Sequence, residues 1–127
     1  SANESRAIEL YEEKHDVVIQ TPTHFIKKHF IKNNKEFFIG GKIDGMIVNY
    51  NRKTVVEVKN RQNHFFDVIP EYERVQIECY MRLINAVECI FIQYFDGENR
   101  VETYQPDDKL WTEILNECSS IVTRITT

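Results

Sequence analysis

Apolar residues recur along this chain with two different periods, and the changes of period mark out its elements. In "NESRAIELYEEK" Ala7, Leu10 and Tyr11 stand at i, i+3 and i+4 behind Asn3, an N-cap residue type, so residues 3–14 read as a helix. "DVVIQTP" reads as a short strand ended by Pro22, and residues 23–49 as a meander of strands punctuated by Asn33-Asn34 and Gly40-Gly41. "NYNRK" makes the next turn, and "TVVEVKN", rich in β-branched side chains, is the most strongly β segment of the chain.

Pro70 stands where a second helix can begin, with Tyr72, Val75, Tyr80, Leu83 and Ile84 as its apolar face through residue 85. "ECIFIQYF", the turn Asp96-Gly97 and "NRVETYQ" predict a hairpin. A last helix opens near Asp107 and Asp108, whose charges suit its N-terminus, and buries Leu110, Trp111, Ile114, Leu115, Cys118 and Val122. Helix, strands, helix, two strands, helix is an α/β order: a central mixed sheet flanked by helices.

Length and charge narrow this picture. The 127 residues suffice for one domain with a real core, without linker or internal repeat. The chain begins with Ser rather than Met, which is expected of an excised fragment or processed chain. No apolar run approaches the roughly 20 residues a bilayer requires and no signal-peptide pattern opens the chain, so a soluble protein is expected. Cys79, Cys89 and Cys118 are odd in number and widely spaced, which reads as buried thiols in a reducing, intracellular setting, whether cytoplasm, nucleus or virus. The net charge is −4, yet between His24 and Arg61 nine basic residues face three acids, leaving +6 locally. That distribution keeps nucleic acid open as a partner despite the overall sign.

The β segment around Val56 raises the chemical question. Strand side chains alternate, so Glu57 and Lys59 share one face while Val56 and Val58 share the other. Asp44 lies thirteen positions before Glu57 across a turn, and two adjacent antiparallel strands would bring both carboxylates to one end of a sheet. Carboxylates held together repel and call for a cation, and hard oxygen donors suit Mg²⁺ or Mn²⁺, which keep waters and take up substrate phosphate oxygens. An ammonium beside them can orient an attacking water and offset charge growing on a phosphate. Taken alone, the same residues also describe an Asp-Gly turn and a surface Glu/Lys pair. No histidine pair has metal-ligand spacing, and no Ser-His-Asp grouping or phosphate-binding Gly loop is present.

Four features in order resemble the PD-(D/E)XK nuclease superfamily, and within it the lambda exonuclease and YqaJ-type viral recombinase branch close to the RecB-like nucleases. They are Glu4, Ala7 and Tyr11 in an E-X-X-A-X-X-X-Y helix, Gly41-X-X-Asp44, Glu57-X-Lys59, and Gln76 with Tyr80 in a Gln-X-X-X-Tyr helix. The resemblance implies a restriction-endonuclease-like core spanning residues 1–127 as a single nuclease domain, truncated relative to the family's full exonuclease domain. It implies a metal site of Asp44, Glu57, the backbone carbonyl of Val58, and Glu4, with Lys59 acting on the attacking water. Gln76 would fix the site or the scissile phosphate, and Tyr80 would pack against that region. Ile43 stands where the family usually has Pro, as often in RecB-like members, and the N-terminal region that in the exonuclease branch helps grip the DNA end and supports a ring-shaped oligomer is not expected within these residues.

The implied activity is Mg²⁺- or Mn²⁺-dependent hydrolysis of DNA, duplex or single-stranded, as an exonuclease in viral or recombination DNA processing, with a homo-oligomer or partner protein in prospect. Alternatives are an RNA endonuclease of the cap-snatching type and a noncatalytic interaction module on the same fold. Arg61, Gln62 and Asn63, just after the catalytic strand, are expected to touch nucleic acid, with Lys27, Lys28 and Tyr80 as further contacts. The hairpin residues Phe25, Ile26, Phe30 and Ile31 are expected to face the core.

Overall fold

The computed structural model describes residues 1–126. Its first helix, α1 (Ala2–His15), is capped by Ser1 rather than Asn3, the Ser1 side chain accepting from the Glu4 N–H at 3.2 Å. It stops at Asp16, whose left-handed backbone (φ 52°) returns its N–H to the Glu12 carbonyl. The strand expected over residues 16–22 does not form; the segment makes one bridge, Gln20 to Met46. A side chain does part of the work a strand neighbour would do, since the Glu12 carboxylate accepts from the Ile19 N–H at 2.8 Å.

The meander resolves into a hairpin, β1 (Ile26–Lys32) and β2 (Lys35–Gly41), followed by β3 (Gly45–Asn49). Asn33 and Asn34 turn the hairpin with φ of 54° and 60°, values asparagine tolerates better than most residues. Gly40 and Gly41 lie inside β2, not in a turn. The hairpin stands as its own two-stranded sheet beside a four-stranded sheet of order β3-β4-β5-β6, with β4 at Arg52–Asn60, β5 at Glu88–Phe95 and β6 at Glu98–Tyr104. Strands β4 and β5 run parallel and are joined through α2 (Glu71–Ile84), which explains the nearly unbroken buried run in β4. The predicted β5–β6 hairpin forms, turning on Asp96 and Gly97 at φ 50° and 78°.

Helices cover both faces of this sheet. On one side Ala7 and Ile8 of α1 pack with Ile19, Val56, Val58, Ile90 and Ile92. On the other, Ile77 and Met81 of α2 pack with Ile43, Val55, Cys89 and Phe91. The buried face of α2 keeps Leu83 and Ile84 from the expected one, but Tyr72 is exposed, while Glu73 and Glu78 are buried with Ile77 and Met81. Both acids can sit inside because Arg61 and Arg82 pair with them at 2.7 Å, so polarity ceases to mark exposure. Helix α3 (Asp108–Thr126) is capped by the Asp107 carboxylate, which accepts from the Leu110 N–H at 3.0 Å. It packs against α2 and the inner face of the hairpin, where Trp111 meets Phe30 edge-on at 5.2 Å. That inner face carries Ile26 and Phe30 with Lys28 and Lys32, whereas Phe25 and Ile31 point to solvent. Alternation forces this outcome, since Ile26 and Ile31 are an odd number of residues apart.

Candidate active site

The site is assembled where the chain leaves β2 of the hairpin and enters the main sheet at β3. β3 pairs antiparallel with β4 from Gly45 opposite Val56 onward, so Asp44 sits just past the last pair. There its Oδ2 accepts the Val58 N–H at 2.8 Å, taking the place of a strand neighbour. In an extended strand the N–H and C=O of one residue leave on the same edge, so the Val58 carbonyl also faces the Asp44 side.

Glu57 projects from β4 toward α2 and is only 4% exposed. Its Oε1 lies 4.0 Å from the Lys59 Nζ, while its Oε2 is buried with no hydrogen-bond partner. Burial, followed by contact with the Asp44 carboxyl and its charge, pushes the Glu57 pKa up to about 10, against the opposing pull of Lys59. Glu4 reaches in from α1, half-buried, and its pKa is raised by burial and then by Asp44. The Asp44 charge thus acts on both glutamates in the same direction.

Lys59 extends along the same face as Glu57 and donates to Gln76 Oε1 at 2.5 Å. Gln76 Nε2 in turn donates to the Tyr80 hydroxyl at 3.0 Å, one helical turn along α2. The Tyr80 ring lies on Gly41, where an added Cβ would come within 2.5 Å of its Cε1. Burial, followed by the Glu57 charge, raises the pKa of that hydroxyl. Glu4, Asp44, Glu57, Lys59, Gln76 and Tyr80, named from four separate stretches of sequence, therefore meet in one place.

The expected nucleic-acid contacts divide. Gln62 and Asn63 are exposed immediately after β4. Arg61 is not: at 8% exposure it turns inward, its guanidinium bidentate to Glu73 at 2.7 and 2.8 Å and its Nε donating to Gln93 Oε1 at 2.8 Å. The neighbouring Phe66 ring lies 3.7 Å from the Arg61 guanidinium carbon, and both its N–H and its carbonyl bond to Gln93. Lys28 is likewise engaged, donating to the Arg82 carbonyl and Asn85 Oδ1 at the end of α2, while Lys27 is exposed on the opposite face of the hairpin. Sequence reasoning passed over Lys42, whose charge acts on Glu4, and the Ser1 cap that orients the start of α1. Only its place two residues before Asp44 hinted at Lys42.

Among the described residues no group of three His, Cys, Asp or Glu side chains is arranged to hold a metal ion by itself. No helix among them is long and apolar enough to cross a membrane.

The layered α/β architecture, a four-stranded mixed sheet flanked by helices, is similar to an exonuclease fold. Solved structures sharing it include an alkaline exonuclease (LHK-Exo) from Laribacter hongkongensis, at TM-score 0.75 and 19% identity over 98% of this chain and 66% of that one. The same exonuclease in complex with dAMP matches at TM-score 0.71 and 19% identity, over 98% of this chain and 65% of that one. SSO0001 matches at TM-score 0.62 and 16% identity, over 89% of this chain and 54% of that one. The chain thus spans between about half and two thirds of the length of these structures. No protein-family model matches the chain, and no curated protein matches it.

Proposed function

We propose that this chain is a Mg²⁺- or Mn²⁺-dependent DNA nuclease that hydrolyses phosphodiester bonds from duplex ends, in recombination or viral DNA processing. The observation that carries the proposal is the buried Glu57 carboxyl, its Oε2 left without a partner near Asp44 while its Oε1 lies 4.0 Å from the Lys59 Nζ. A buried carboxyl with an oxygen that bonds nothing is held neutral by a proton or met by a cation that displaces it. In this reading Asp44 and Glu57 are the direct carboxylate donors with the Val58 carbonyl on the same edge, while Glu4 acts through its charge near Asp44 rather than as a third donor. Few protein donors with room for water is what Mg²⁺ favours. When bound, the ion would lower the pKa of water and offset charge on the phosphate.

The chain's own residues have distinct tasks in this reading. Lys59 orients the attacking water and stabilises negative charge gathering on the phosphate oxygens. Gln76 holds the Lys59 ammonium in place, and Tyr80 holds Gln76. Gln62 and Asn63 stand at the mouth of the site and meet the sugar-phosphate backbone. Attack by water needs no covalent intermediate.

Exonuclease action is favoured over endonuclease action by the likeness to an alkaline exonuclease, which also binds dAMP, a molecule of the size such an enzyme releases. Because the chain matches only part of that protein, assembly into an oligomer or with a partner belongs to the proposal as well. The test is Mg²⁺- and Mn²⁺-dependent degradation of linear duplex DNA, covalently closed duplex, single-stranded DNA and RNA, with Glu57→Ala alongside. The expected result is loss of linear DNA with covalently closed duplex and RNA intact, abolished in Glu57→Ala. Cleavage confined to RNA would make the protein an RNA endonuclease, and absence of both metal binding and cleavage would make it a noncatalytic module.

A further inference from the structure

The outer face of the β1–β2 hairpin takes no part in the core or in the site, yet it holds aromatic rings in water. Phe25 and Phe38 are 67% and 61% exposed. The Phe25 ring lies across Gly40 so closely that an added Cβ there would come within 2.5 Å of its Cε1. Lys27, paired opposite Gly40, holds its Nζ 4.7 Å from the centre of the Phe38 ring. His29, paired opposite Phe38, sets its own ring 5.3 Å away, and the nearest acid, Glu36, is already engaged by His29 Nε2 at 3.2 Å.

We propose that this face is a stacking platform for a single-stranded stretch of nucleic acid leading into the site. The occupant follows from three features. Exposed rings can stack on unpaired bases, whose faces are free, whereas a duplex offers a protein only base edges and phosphates. The cation beside the rings has the sign a backbone phosphate requires, and it lies in the segment between His24 and Arg61 that carries nine basic residues against three acids. The platform and the site lie on opposite faces of β2, since Gly40 faces the platform while the next residue, Gly41, lies against Tyr80, and a strand passing from one to the other rounds the end of β2 at exposed Lys42, two residues before Asp44. Ile31 stands exposed on the same face, but Lys27, His29 and Glu36 lie among its apolar side chains, so a protein partner would not find a purely apolar patch.

The destination of the strand rests on the nuclease reading, but the binding does not require cleavage, so the two can fail separately. The experiment follows a short fluorescein-labelled oligothymidylate by anisotropy with the full chain in EDTA at low salt. Phe38→Ala and Phe25→Ala are each expected to weaken binding roughly five- to hundredfold. Phe38→Trp is expected to retain binding, with the new indole fluorescence quenched as the oligonucleotide is added. Lys27→Ala should reduce the slope of log affinity against log salt by about 0.7. Phe25→Ala uncovers Gly40 and can loosen the hairpin, so Phe38 is the decisive position. Unchanged affinity in Phe38→Ala, equal affinity of the wild type for duplex, or no binding by the wild type would each overturn the platform. Self-association of the wild type that Phe38→Ala removes, with oligonucleotide affinity unchanged, would assign the face to a second copy and overturn it too. Normal binding by a chain that cleaves nothing would leave the platform standing and sink the nuclease reading alone.

Discussion

Arg61 and Glu73 form a bidentate ion pair inside the protein, at 2.7 and 2.8 Å, that ties the end of β4 to the first turn of α2. Arg61 stands two residues beyond Lys59, and Glu73 stands three before Gln76, so the pair braces the Lys59–Gln76 contact from its flank. Removing one partner leaves the other charge buried and uncompensated. Arg61→Ala and Glu73→Ala are expected to lose about 3–5 kcal/mol of stability, read by urea unfolding. An apolar pair of similar volume at both positions should recover much of that loss. A change below about 1 kcal/mol in either single variant, the scale of an exposed pair, would mean that Arg61 faces solvent as a phosphate contact after all.

Glu57 makes metal binding depend on pH. With its carboxyl pushed up to about 10, it is protonated at neutral pH, so a cation must displace a proton. Calorimetry with Mn²⁺ in two buffers of different ionisation enthalpy should report proton release, with affinity rising as pH rises. Proton release should vanish in Glu57→Gln.

The same shift has a sign for folding in EDTA. The folded-state pKa lies above the ordinary carboxyl value of 4.5, so the stabilisation is complete below that value and fades as pH climbs toward about 10. Metal-free protein should therefore melt lower at pH 9 than at pH 6, and Glu57→Gln should flatten the difference. A wild-type profile no steeper than that of Glu57→Gln would contradict the burial described for this carboxyl.

Lys59 separates chemistry from binding. Lys59→Ala is expected to keep Mn²⁺ affinity while cleavage falls by about 10²–10⁴, the range for a positioned proton-transfer group. Unchanged cleavage with intact metal binding would remove Lys59 from the mechanism even if the enzyme class stood.

Asp44 has two tasks that substitution can split. Asp44→Asn preserves an acceptor for the Val58 N–H and removes the charge, so metal affinity should drop with little change in stability. Asp44→Ala orphans that N–H and should cost a further ~1–3 kcal/mol. Equal melting of the two variants would show that the hydrogen bond contributes nothing.

Short-range physics made much of this molecule legible before any coordinates. The βαβ order, the Asp96-Gly97 hairpin and the apolar β4 run follow from turn chemistry and side-chain period, which are local properties. So did the strand alternation that sets Glu57 and Lys59 on one face, and the α2 spacing that aligns Gln76 with Tyr80. What tertiary structure decided was everything that depends on a partner distant in sequence. Arg61 reads as a surface cation until Glu73 and Gln93 close around it, and the α2 face reads wrongly until Glu73 and Glu78 are seen paired. Phe25 and Ile31 read as core because apolar type alone does not say which side of a hairpin its neighbours will cover. The acidic cluster itself needed both kinds of information. Alternation set the direction of Glu57 locally, but only the antiparallel register of β3 on β4 brought Asp44 to the Val58 N–H beside it.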